Sequence, residues 1–164
     1  MTTTNSANGH HDVDTMDAEP SAEHALQYLK AFTSAQATRT ELYHEFESAI
    51  NDHADGRISV AEIQQVIRIS QEGFQDVSSD IILQERSLQT AGLPDLSAII
   101  RRVQDLEEEK LRVTVGLLSC KVRARTTPDI SFESEIEELE EKRRRLVEEI
   151  NEAMEEARAE MLEL

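Results

Sequence analysis

The sequence predicts an all-α protein: an elongated antiparallel helical bundle, or coiled coil, of about four long helices behind a disordered N-terminal tail. Three observations predict it. Pro20, Pro94 and Pro128, with Gly56 and Gly92, cut the chain into pieces of about thirty residues, and these are the residue types that stop helices. Between the breaks, apolar residues recur at three- and four-residue spacing, the period of one helix face. The composition, 38% hydrophobic against 31% charged with no Trp, suits a thin, elongated core better than a compact enzyme interior.

Residues 1–20 carry four acids, no base and almost no large apolar side chain, so they form a disordered acidic tail. His10 and His11 stand side by side there without a third metal ligand at helical or hairpin spacing, which reads as a solvated pair. The bundle domain is expected over residues 21–126. Its first helix begins near Ser21, a residue able to cap a helix start, and its stripe is Leu26, Leu29, Phe32, Leu42, Tyr43, Phe46 and Ile50. The weakly apolar middle, Thr33 to Thr40, points to close approach of a neighbour or a local irregularity.

Ser59-Val-Ala-Glu62 is a capping box that starts the second helix. Its stripe runs Ile63, Val66, Ile67, Phe74, Val77, Ile81 and Leu88, and Gly92-Leu-Pro94 ends it. Gly73 costs that helix about 1 kcal/mol relative to Ala unless packing uses the missing side chain. Asp95 is expected to cap the third helix, whose buried side is Leu96, Ile99, Ile100, Val103, Leu106, Val113, Leu117 and Leu118. Leu96, Val103, Lys110 and Leu117 fall seven apart, a seam that favours shallow crossing. After Pro128, residues 129–164 read as an acidic coiled-coil helix from about Ser131, with Ile136, Leu139, Leu146, Ile150, Ala153, Ala157 and Leu164 in register, projecting beyond the main body. Each helix would be about 45 Å long.

The net charge of -17 is uneven, with 13 acids against 5 bases in residues 131–164. Lys and Arg bind nucleic acid by displacing counterions from phosphate, so this balance opposes direct nucleic-acid binding. One stretch differs: Lys110, Arg112, Lys121, Arg123 and Arg125 occur without an acid between Lys110 and Pro128. It either lies beside acidic helix faces or contacts an anion. Lys142-Arg-Arg-Arg145 sits among glutamates that pair with it along the helix; an import signal is the alternative.

No Ser or Cys nucleophile stands in a strand-turn-helix context and no Gly-rich phosphate loop is present, so no enzyme and no cofactor are expected. Cys120 reads as a small buried apolar residue. It is the single cysteine, which excludes an intrachain disulfide, and neither a signal peptide nor a run of about 20 apolar residues occurs, so an intracellular, non-membrane protein is expected, nuclear or cytoplasmic. The turn from Asn51 to Glu62 partly matches a calcium loop, with Asp55, Gly56, Ile58 and Glu62 in place. Asn51 and His53 depart from the pattern at two ligand positions and no second copy follows. A polar interhelical turn is the preferred reading, and a degenerate single EF-hand the alternative.

Three stretches carry a family resemblance: Leu26-Gln-Tyr-Leu29 leading to Arg39-Thr-Glu-Leu-Tyr43-His-Glu-Phe46; Phe74-Gln-Asp-Val-Ser78-Ser-Asp-Ile81; and Leu96 through Gln104, Glu107, Lys110, Leu111 and Thr114. Over roughly residues 25–120 the chain resembles the B-type "required for excision" DNA-repair domain, a small eukaryotic family. The Gln104 to Thr114 run is the sharper part, because periodicity alone does not demand Gln or Thr there; a simple helix-helix seam is the structural alternative. The resemblance implies a non-enzymatic accessory protein, favours the nucleus, and carries over no catalytic residue. A generic coiled-coil adaptor subunit unrelated to repair is the competing expectation. Other proteins are the expected partners, through Leu139, Leu146, Ile150 and Ala153 of the last helix, which also offers a route to homo-oligomers.

Overall fold

A computed structural model describes residues 22–164, so the tail and the Ser21 cap lie outside the described residues. The four helices are α1 (Ala22–Ala54), α2 (Val60–Thr90), α3 (Pro94–Thr126) and α4 (Glu133–Glu163), and the described residues contain no strand. The breaks fall where the turn chemistry places them. Gly56 and Gly92 adopt φ of +73° and +75°, the left-handed region that only glycine enters without strain. After α2, the Leu93 N–H closes back onto Leu88 O and the Gly92 N–H onto Gln89 O, satisfying carbonyls that the helix end leaves open. At the start of α2, Ser59 Oγ accepts from the Glu62 N–H while the Glu62 carboxylate accepts from the Ser59 N–H.

Asp95 does not cap α3. Leu93 occupies the cap position without a side-chain bond and Pro94 opens the helix, its missing N–H being one that has no helical partner anyway; Asp95 lies inside the first turn, where its charge opposes the helix dipole's positive end.

Helices adjacent in sequence pack on one another, and α1 also touches α3 and α4. The core gathers at one end of the bundle. Leu29 and Phe32 of α1, Ile81 and Leu88 of α2, Ile100 and Val103 of α3, and Ile150, Ala153, Met154 and Ala157 of α4 form one buried cluster; each large aliphatic or aromatic side chain there contributes about 1.5–3 kcal/mol. The last helix therefore does not project from the body. Its small residues Ala153 and Ala157, fully buried, let its backbone approach the neighbours closely enough to share their core. No helix among the described residues is long and apolar enough to cross a membrane.

Candidate functional site

The middle of α1 is neither irregular nor merely close-packed; it is polar because it carries a buried hydrogen-bonded network. Gln36, Arg39 and Tyr43 follow one another at helical spacing on the inward face and are 6%, 3% and 5% exposed. From α3, Gln104, Glu107 and Lys110 recur every third residue, so they face α1 together. Arg39 donates to Gln104 Oε1 at 2.6 Å, to Ser78 Oγ of α2 at 3.1 Å and to Gln36 Oε1 at 3.2 Å. Gln36 in turn donates to Glu107 Oε1, and Gln104 donates to the Ser78 carbonyl at 3.3 Å. Lys110 Nζ lies 3.0 Å from Glu107 Oε2 and 4.0 Å over the Tyr43 ring. Tyr43 donates to the Glu107 carbonyl at 3.3 Å and packs on Phe74 with ring centres 4.8 Å apart.

Burial lowers the pKa of the Arg39 guanidinium and the Lys110 ammonium, and the nearby Glu107 partly opposes both shifts. The Tyr43 hydroxyl is pushed far up, mainly by burial and then by Glu107. Three helices are thereby tied by charge-assisted bonds that retain full strength only in one relative register. The network's groups bond one another across α1, α2 and α3, which orients the three helices. Clefts of about 270 and 370 Å³ are lined in part by its members, Arg39, Ser78 and Gln104 in the smaller and Gln36 and Lys110 in the larger.

Beyond the network, toward the Gly56 turn, α2 and α3 enclose an open groove of about 1030 Å³. Phe46 and Ile50 of α1, Ile67 and Phe74 of α2, and Leu111, Val115, Leu118 and Val122 of α3 line it. Ile67 and Val115 are 40% and 49% exposed.

The residues singled out by sequence fall as follows. The calcium-loop set does not converge: Glu62 is held in its capping box, Asp55 pairs with Arg57 and Arg125, and His53 Nδ1 bonds the Ile58 carbonyl. Asn51 lies in the last turn of α1, and among the described residues no three His, Cys, Asp or Glu side chains are grouped for a metal ion. In the basic stretch, Lys110 pairs with Glu107, Arg112 with Glu108 and Glu109, Lys121 with Glu140 and Arg125 with Asp55, while Arg123 stacks 4.6 Å over Phe132. Lys142 and Arg143 reach across to Glu109 and Glu47, and Arg144 and Arg145 pair with Glu141. The partner surface expected on α4 is corrected: Leu146, Ile150 and Ala153 are buried within the bundle, and half-buried Leu139 rests on Gly116, because α4 lies along α3.

Gln104 does bond across a helix seam, as the structural alternative had it, whereas the fully buried Thr114 hydroxyl has no hydrogen-bond partner among the described residues. Gln36 and the groove had gone unremarked. Their signals were available: Gln36 and Arg39 interrupt an apolar face, and Ile67 and Val115 belong to apolar runs wider than the core needs.

A family described as DNA repair REX1-B matches residues 27–121, a span that holds every member of the network and all of the groove lining except Val122 and Arg123. The chain is also 32% identical over 120 residues to the heterochromatin silencing protein rss1 of Schizosaccharomyces pombe, covering 73% of this chain and 87% of that protein.

Proposed function

The chain belongs to the DNA repair REX1-B family, and from that premise we propose that it is a non-catalytic, nuclear accessory protein of chromatin-linked DNA repair that acts by holding other proteins on its helix surfaces. The observation that carries this reading is the division of labour within the matched region. Its chemically rich side chains are consumed by one another in a buried lock, and its open surface is an apolar groove. A catalytic site needs the reverse, reactive groups at the mouth of a cleft. The relative named for heterochromatin silencing favours chromatin over the cytoskeletal or trafficking assemblies that a generic adaptor would serve.

The test is quantitative co-purification of the tagged full-length chain from nuclei and from cytosol. Reproducible recovery of repair or chromatin proteins is expected. Recovery confined to cytoskeletal or trafficking proteins overturns the repair role, and turnover of a small molecule by the purified chain overturns the non-catalytic one.

A further inference from the structure

We propose that the groove between α2 and α3 receives a short amphipathic helix of a partner protein, apolar on the buried face and acidic where it meets Arg123; this deepens the accessory-protein reading and rests on it. The walls dictate a helix. Both are α-helices whose backbone groups bond internally, so neither offers a strand edge. An extended occupant would bring unpaired N–H and C=O groups into an apolar slot, where stripping each of its water goes uncompensated. A helix brings none, and its ridges fit between side chains spaced as Leu111, Val115, Leu118 and Val122 are.

Length follows from the walls. They run from Ile67 to Ser79 on α2 and from Leu111 to Arg123 on α3, about 18 Å at helical rise, which suits an occupant of about 12 residues.

Charge sets the rest. The chain has 34 acidic residues, yet among the described residues no carboxylate lines the groove. Its polar lining is Ser70, Gln71, Gln75, Ser78, Ser79 and Ser119, with Arg123 the charged residue among those that line it. Neutral walls with one cation accept an acid at that end and give a polyanion such as nucleic acid too few contacts. The chain's own tail is a poorer occupant. It joins α1 at the end opposite Phe46 and Ile50, and beyond Met1 its large apolar side chains are Val13 and Met16 alone, with no helical repeat.

The experiment is selection of displayed helical peptides of 16 residues against the full-length chain, followed by fluorescence polarisation of the winners. Winners should carry apolar residues at i, i+3 or i+4, and i+7 with Asp or Glu at one end. Val115→Glu and Ile67→Glu, both at exposed positions, should weaken binding at least tenfold with circular dichroism unchanged, and Arg123→Glu should switch the selected end charge to Lys or Arg. Winners without that period, binding indifferent to the groove substitutions, or an end charge unmoved by Arg123→Glu overturns the proposal. So does self-association that Val115→Glu abolishes, or binding that appears only after residues 1–20 are deleted, because a second copy or the tail would then be the occupant. Nuclear co-purification that persists with Val115→Glu would leave the accessory reading standing and sink the groove assignment; groove-specific peptides without chromatin partners would do the opposite.

Discussion

At the scale of single residues, Arg39 decides the most. It is a buried cation whose bonds reach Gln36, Ser78 and Gln104 on three helices. Removing one partner of such a set leaves the others desolvated and unmatched, which costs more than the bonds themselves are worth. Arg39→Met should therefore lower stability by about 3 kcal/mol in urea unfolding, although Met fills much of the same volume; a loss under 1 kcal/mol would mean the network is ornamental to the fold. Tyr43 yields a second expectation, in alkali. Its folded pKa is raised from the ordinary 10.0, so the unfolded chain releases the phenolic proton first, and its contribution is intact below about pH 10 and lost as pH rises beyond it. Lys110 acts oppositely: its pKa is lowered by burial, so its penalty is relieved as pH climbs toward 10.5. The difference between wild type and Tyr43→Phe isolates the tyrosine. The substitution should cost about 1 kcal/mol at pH 7 and progressively less above pH 10 in chemical unfolding; a gap that widens with pH would contradict the burial of this hydroxyl.

At the scale of elements, Gly73 in mid-α2 is explained by α1. A Cβ built there would stand 2.9 Å from Leu42 Cδ2, so a side chain at this position obliges the end of Leu42 to shift. The gain in helix propensity from Gly73→Ala, about 1 kcal/mol, is then offset by crowding in wild type but freed in a Leu42→Ala background. A double-mutant cycle should show coupling of about 1 kcal/mol, and strict additivity would place Leu42 elsewhere. Helix limits were largely legible in the sequence because they are local chemistry: Ser59 and Glu62 bond each other three residues apart, and Gly92 turns the chain with its own φ. Asp95 was misread because Asp is a good cap in general, while Pro94 takes the first helical position and moves the boundary back by two residues. The site was legible as a residue pattern and not as a site. Gln104 stood out because the apolar period does not demand it, and Glu107 and Lys110 were named in the same run, but their partners Gln36 and Arg39 lie 71 and 65 residues from Glu107 and Gln104, and no periodicity reports contacts at that separation. The free surface assigned to α4 failed for a related reason: an apolar stripe says that something will cover it, not whether the cover is a partner or α1 and α3.

At the scale of the whole molecule, the question is which electrostatic effect wins. Several ion pairs tie separate elements together: Arg102 with Glu156, Lys121 with Glu140 and Lys142 with Glu109 at the surface, Arg125 with Asp55 of the turn after α1, and half-buried Arg143 with Glu47. Exposed pairs of this kind are worth about 0–1 kcal/mol each, and salt screens them. Against them stands a net charge of -17, much of it on α4, where Glu148 and Glu152, or Glu156 and Glu160, repeat at the spacing at which like charges repel along a helix. Repulsion among so many acids is also screened, and it involves more charges at more distances than the pairs do. The buried set of Arg39, Glu107 and Lys110 is out of reach of bulk ions, so it changes sides in neither direction. Raising NaCl from 10 mM to 500 mM should therefore increase Tm by a few degrees, measured by circular dichroism at 222 nm at pH 7. A fall in Tm over that range would show that the interhelix pairs outweigh the acidic excess, and would make α4 an electrostatically clamped element instead of one held chiefly by Ile150, Ala153, Met154 and Ala157 in the common core.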